Sequence, residues 1–234
     1  AISVMLVTAI FGMADMSIHA QINAYIQQQG NFHANIKGIS DSVAKQIGSR
    51  RDIKVSDWVG MVEDTVYQGK KLIVQGSGQE LAEQMNLLVQ DGKYPVTEHE
   101  ALLDRRALEQ FGLSIGDKIE VPFANGQTRQ YRITGTYEDF SALVGNDAHG
   151  LFLTTAGIRA IGSEQYAEYY FIQFEKGVNI RRALSEIKSE YGLSDEQLSP
   201  NTRLLGLMGQ SDDSAVWQLY LTAAVLFVLV TMSG

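Results

Sequence analysis

Apolar residues along this chain switch repeatedly between helical spacing and strand-like alternation. Ile18, Ile22, Tyr25 and Ile26 recur three and four apart with Gln21, Asn23, Gln27 and Gln28 between them, which predicts an amphipathic helix ended by Gly30. Alternation around Phe32, Ala34 and Ile36 predicts a strand, and Ser40 is placed to cap a short helix to about residue 47. A polar loop over 49–52 leads to strands at 58–66 and 72–75, and Tyr67-Gln68-Gly69-Lys70 between them suits a hairpin. Leu81, Met85, Leu88 and Val89 share one face of a helix predicted over 79–89. Residues 138–150, mixed in character, read as an exposed loop. Beyond it come a strand at 151–153, a short helix starting at Thr154 or Thr155 and ended by Gly162, and a strand at 169–174. Asn179 then caps a helix whose Ile180, Ala183, Leu184, Ile187 and Tyr191 face one way before Gly192 closes it.

The most heavily punctuated stretch lies in the middle. Pro95 of Gly92-Lys93-Tyr94-Pro95 holds its own φ and biases Tyr94 towards an extended backbone, so a strand is expected near 101–103. Asp104 can cap the following helix, in which Leu108 and Phe111 share a face; Gly112 ends it and Leu113 makes the apolar contact after the end. Gly116-Asp117 signals a turn into a strand at 118–123, and Asn125-Gly126 is a strong hairpin signal between that strand and 128–137. Strands alternating with helices and interrupted by hairpins predict an α+β class with a mixed sheet.

Both ends are apolar. Residues 1–13 carry no Lys or Arg, and 215–234 are apolar apart from Gln218 and a few small polar residues. Each run is shorter than the roughly 20 residues that cross a bilayer, and one reading makes them buried core helices. The reading adopted is that they are the outer parts of two transmembrane helices. No Lys or Arg precedes Lys37 or follows Arg203, so the flanks lack the basic residues of a cytoplasmic side and the region between them is expected outside the cytoplasm. Trp217 and Tyr220 suit a membrane interface.

Composition narrows the chemistry. A chain of 234 residues with 45% hydrophobic content can bury a sizeable core, and its net charge of -8 argues against nucleic acid as a partner. The absence of cysteine removes disulfides, thiolate metal sites and thiol catalysis. His19, His33, His99 and His149 are scattered, so no metal site is expected. Gly112-Leu113-Ser114-Ile115-Gly116 matches the pattern of a hydrolase nucleophile elbow, but that elbow needs a strand before the serine and a helix after it, the reverse of this context. Gly76-Ser77-Gly78 lacks the remaining residues of a phosphate loop. Glu98 with Glu100, and Asp104 with Arg105, Arg106 and Glu109, read as solvated faces, and Asp212-Asp213 as a cap for the second apolar run in preference to a calcium site. No residue is assigned as catalytic, cofactor-binding or metal-binding, and no cofactor is expected.

Gly92-Lys93-Tyr94-Pro95, the helix ending at Phe111, Leu113-Ser114-Ile115-Gly116-Asp117-Lys118-Ile119 and Tyr131-Arg132-Ile133-Thr134-Gly135 follow one another in an order that resembles the extracytoplasmic domain of FtsX-like and MacB-like ABC transporter permeases. The framing between two apolar ends agrees with it. The resemblance makes Gly92, Tyr94, Pro95, Leu113, Gly116, Asp117 and Gly135 structural signature positions. It implies 1–29 as the end of a first transmembrane helix and its stalk, and 30–202 as a Porter-like domain with a smaller Sabre-like β-rich part around 116–150. Residues 203–234 would be a second stalk, with its helical segment at 203–217, leading into the second transmembrane helix. It also implies a permease homo- or heterodimer in the lipid bilayer, a separate cytoplasmic ABC ATPase, an extracytoplasmic protein partner and no enzymatic activity in this chain. The function implied is relay of ATP-driven motion outward, in export or mechanotransmission, through the stalks beginning at 14–29. The alternative is a membrane-anchored binding or sensor module without an ATPase partner.

Overall fold

The computed structural model describes residues 2–138 and 147–210. The elements in order are helix α1 (Ile2–Gln29), strand β1 (Ala34–Ile36), α2 (Asp41–Gly48), the hairpin β2 (Ile53–Tyr67) and β3 (Lys70–Gly76), α3 (Gln79–Gln84), β4 (Val89–Gly92), β5 (Glu100–Asp104) and α4 (Arg105–Gln110). They continue with β6 (Lys118–Pro122), β7 (Thr128–Tyr137), β8 (Ala148–Leu153), α5 (Thr155–Arg159), β9 (Ala167–Phe174), α6 (Ile180–Tyr191), β10 (Leu198–Pro200) and α7 (Thr202–Leu207). The caps are those expected of the residue types. Ser40, Asp104, Thr154 and Asn179 each accept a backbone N–H with the side chain at a helix start, and Gly192 closes α6 at φ +63°.

The strands form one mixed sheet in the order β10-β1-β9-β2-β3-β8-β5-β7-β4, with β6 also on β7. Most neighbours are antiparallel; β3 with β8 and β5 with β7 are parallel. Alternation sends successive side chains to opposite faces, and helices pack on both, though on one of them only in part. One face carries Trp58 and Val62 of β2, Leu72 and Val74 of β3, Ala101 and Leu103 of β5, and Tyr170 and Ile172 of β9, packed under residues of α2, α4, α5 and α6. The other carries Val55, Val59, Leu102 and Phe152 against Leu81 and Ala82 of α3. A mixed sheet with helices on its faces is the α+β class expected from the alternation of periods.

Three local expectations, the helix over 79–89, the loop over 138–150 and the wet face at Asp104, need correction. The helix predicted over 79–89 ends at Gln84, because Asn86 takes a positive φ of 62° and turns the chain so that Val89 enters β4. The end of the loop predicted over 138–150 belongs to β8, where Ala148, His149 and Gly150 are buried by pairing with β3; residues 139–146 lie outside the described residues. Asp104 is not on a wet face but fully buried. Among the described residues no helix is long and apolar enough to cross a membrane. The run at 215–234, the acidic pair at 212–213 and the last part of the 203–217 segment lie outside the described residues.

Candidate functional site

Two places combine position and construction. The first is where α1 meets the sheet domain. The Tyr25 hydroxyl donates to Asn201 Oδ1 at 2.8 Å, and the Arg203 guanidinium lies 5.9 Å from the centre of the Tyr25 ring. Asn201 is 7% exposed and also donates from Nδ2 to the Phe32 carbonyl at 2.9 Å, while its Oδ1 caps α7 through the Leu204 N–H. On the other side of α1, the Asn31 N–H donates to the Gln84 carbonyl at 2.9 Å and Asn86 Nδ2 to the Gln27 carbonyl at 3.3 Å. The end of α1 is thus held by α7 and by the end of α3 together. Sequence reasoning placed a helix here but missed Asn201 and Asn86; the left-handed tendency of Asn86 near a helix end was the available signal for one of them.

The second place is a bulge in β7. Gly92 of β4 stands opposite Gly135 of β7, with Gly92 at φ +84°. A Cβ on Gly92 would lie 2.2 Å from the Thr134 carbonyl oxygen, and one on Gly135 would lie 2.4 Å from the Asp91 carbonyl oxygen. Two backbones therefore approach as only glycine allows. Thr134 is skipped by β5, since Ala101 pairs with Ile133 and Leu102 with Gly135. The Thr134 hydroxyl lies 3.0 Å from the Lys93 carbonyl oxygen and 3.3 Å from that of Ala101, which satisfies the interrupted ladder. The extra residue reverses the alternation: Tyr131 and Ile133 face one core cluster and Tyr137 faces the opposite one.

The other positions expected as signature residues surround this bulge or brace it. The Asp117 carboxylate accepts the Ser114 N–H at 2.8 Å, and the Gly116 N–H donates to the Ile133 carbonyl at 2.8 Å, so the turn is tied to β7 one residue before the bulge. The Tyr94 hydroxyl bonds to the Leu87 carbonyl and its ring meets Phe152 edge-on at 6.4 Å. Burial, with a smaller effect of Glu83, pushes that phenol up to about 12, which keeps it a neutral donor. Leu113 packs on the cluster containing Phe111, and Pro95 is buried.

The motifs set aside on sequence grounds have structural occupations. Ser114 contributes backbone to a turn that follows α4 and precedes β6. At Gly76-Ser77-Gly78, the Gly78 N–H donates to the Asp57 carboxylate at 2.9 Å and Ser77 Oγ to the Gly78 carbonyl at 3.2 Å. Among the described residues no His, Asp or Glu cluster has the arrangement of a metal site. The buried Asp104 accepts N–H groups of Ala107 at 2.7 Å and Gly150 at 2.5 Å, with His149 Nδ1 at 3.3 Å and His149 Nε2 paired to Gln110 at 2.8 Å. These contacts stitch β5 and α4 to β8. The Glu100 carboxylate accepts the N–H groups of Val96 and Thr97, which hold its pKa below the usual range.

A family model described as the MacB-like periplasmic core domain matches residues 1–190. The fold is similar to that of the extracellular domain of the noncanonic ABC-type transporter YknZ from Gram-positive bacteria. Identity there is 12%, with 73% of this chain and 99% of that chain covered and a TM-score of 0.50. Another similar structure is the periplasmic region of MacB from Actinobacillus actinomycetemcomitans, at 15% identity, 76% and 92% coverage and a TM-score of 0.49. A search of curated proteins returned no match.

Proposed function

As the chain belongs to the MacB-like periplasmic core domain family, the extracytoplasmic part of MacB/FtsX-like ABC transporter permeases, we propose that it relays motion from a cytoplasmic ABC ATPase to the extracytoplasmic side. Domains of this family are permease periplasmic domains and are not themselves catalytic. The division proposed is 1–29 as membrane helix end and stalk, 30–202 as the outer domain with 116–150 as its smaller β-rich part, and 203–234 as the second stalk and membrane helix. The working unit proposed is a permease homo- or heterodimer in the cell membrane, with an extracytoplasmic protein partner.

The observation that supports a relay is the double fastening of α1. A helix bonded on one side to α7 through Tyr25 and Asn201, and on the other to the end of α3 through Asn31 and Asn86, passes a tilt to the sheet through short, directional bonds. A loose linker would dissipate the same tilt in dihedral rotation. The test uses the complete permease with its ATPase, spin-labelled at Glu175 of each subunit. Nucleotide should change the label distance in the parent protein. In the Asn201→Ala/Asn86→Ala variant, folded by circular dichroism, the change should shrink while ATP hydrolysis continues. A distance that is the same in every nucleotide state of the parent would overturn the reading.

A further inference from the structure

Between the end of α1, α3 and the sheet face of β2, β3 and β9 lies a cavity of ≈ 390 Å³. Ligand pockets run from roughly 300 to 1,000 Å³, so this one has room for a small molecule. It exists because α3 has 6 residues and stops at Gln84, too short to cover the face on which β2 and β3 continue. Met61, Ile73 and Phe171 are consequently left half-buried, and Phe32 and Met85 close the sides. The methionines give walls that adapt to different shapes. Polar groups at the rim are few, and Glu63 is the one charged side chain among the lining residues; no Lys, Arg or His lines the cavity.

We propose that this cavity is a binding site for a small cationic amphiphile. Its apolar body would fill the space bounded by Met61, Ile73, Met85 and the Phe32–Phe171 pair, whose rings meet edge-on at 4.6 Å, and its ammonium group would face Glu63. The charge pattern selects that class: an anion would meet Glu63 with no compensating cation, whereas a neutral molecule would gain the apolar contact and the neutral polar groups of Gln28, Gln29, Gln75 and Ser77 without the charge attraction. Glu63 is exposed, and an exposed ion pair contributes up to about 1 kcal/mol, which converts to a preference of about fivefold for the cation over its neutral counterpart. The site does not depend on the relay reading, because occupancy can be measured on this chain without nucleotide or ATPase.

The absence of cysteine supplies the test. Ile73→Cys places a unique thiol in the cavity wall, Met61→Cys is a second such variant in case the first does not fold, and Lys176→Cys is an exposed reference. Each full chain is alkylated with N-ethylmaleimide, followed by mass spectrometry, in the presence of 4-(1-naphthyl)butylammonium, the matching naphthyl alcohol or the matching naphthyl carboxylate. Expected is saturable protection of the cavity thiol of at least about tenfold, with the ammonium acting at about fivefold lower concentration than the alcohol and the carboxylate weakest. Glu63→Gln should bring the ammonium and alcohol together. Equal alkylation with and without probe, equal protection of Lys176→Cys, or strongest protection by the carboxylate would each overturn the proposal.

Discussion

The bulge in β7 is open to a direct energetic test through Gly92→Ala. A methyl group there begins 2.2 Å from the Thr134 carbonyl oxygen, and real Cβ contacts stay beyond 3.0 Å, so β4 and β7 must part by about 0.8 Å. Both colliding groups are backbone and no side chain can rotate away. The separation stretches the bond from the Lys93 N–H to the Thr134 carbonyl, now 3.0 Å, to about 3.8 Å, past hydrogen-bonding distance. Three costs combine: about 1–2 kcal/mol for a side chain at positive φ, about 1 kcal/mol for the lost bond, and about 1–3 kcal/mol for the overpacked contact. A total of about 3–6 kcal/mol is expected, or a Tm lower by roughly 6–24 °C for a domain of this size. Gly112→Ala is the reference, because Gly112 has φ +64° but nothing within 4 Å of a new Cβ, which leaves only the conformational cost of about 1–2 kcal/mol. Equilibrium urea unfolding followed by far-UV circular dichroism measures both variants. If Gly92→Ala cost no more than Gly112→Ala, the close approach would not be what demands glycine.

Other outcomes follow from buried polar groups. His33 is 5% exposed and its ring accepts the Phe174 N–H at 2.9 Å; burial, with a smaller effect of Lys54, lowers its pKa to about 4 from the ordinary 6.5. The unfolded chain therefore takes up the proton first. The contribution is complete above pH 6.5 and is lost as pH falls towards 4, by up to about 3 kcal/mol; urea unfolding from pH 7 to pH 4 should show this extra loss in the parent but not in His33→Gln. Asp104→Asn sets an amide N–H₂ against one of the N–H groups of Ala107 and Gly150 and should cost about 2 kcal/mol. Arg105→Ala, on the exposed side of the same helix start, should stay within about 0.5 kcal/mol in the same assay.

What could be read before folding were local devices whose physics is complete within a few residues. Ser40, Asp104 and Asn179 cap helices because a side-chain oxygen reaches an N–H two or three residues on, and no partner elsewhere is needed. The hairpins at Gln68-Gly69 and Asn125-Gly126, the glycine ends of α4 and α6, and the α+β class were legible for the same reason. Order of motifs along the chain also carried the family resemblance.

Other features depend on what lies alongside. Asp104 and Arg105 have similar character in sequence, yet one is buried because β8 passes over it and supplies the Gly150 N–H, while its neighbour points to solvent. Leu81 to Val89 has a helical period, but the turn at Asn86 ends the helix early, and the bare sheet face beneath becomes a cavity. Tyr131, Ile133 and Tyr137 share one parity in sequence and would share one face of a regular strand. The bulge at Thr134 sends Tyr137 to the other face, and beside it Gly92 and Gly135, more than forty residues apart, let two backbones touch. By itself, then, the sequence determined caps, turns, class and the glycines' availability, since these are short-range. Only the tertiary structure decided which glycines face each other, which acid is buried and where α1 is fastened, since those depend on contacts between segments far apart in the chain.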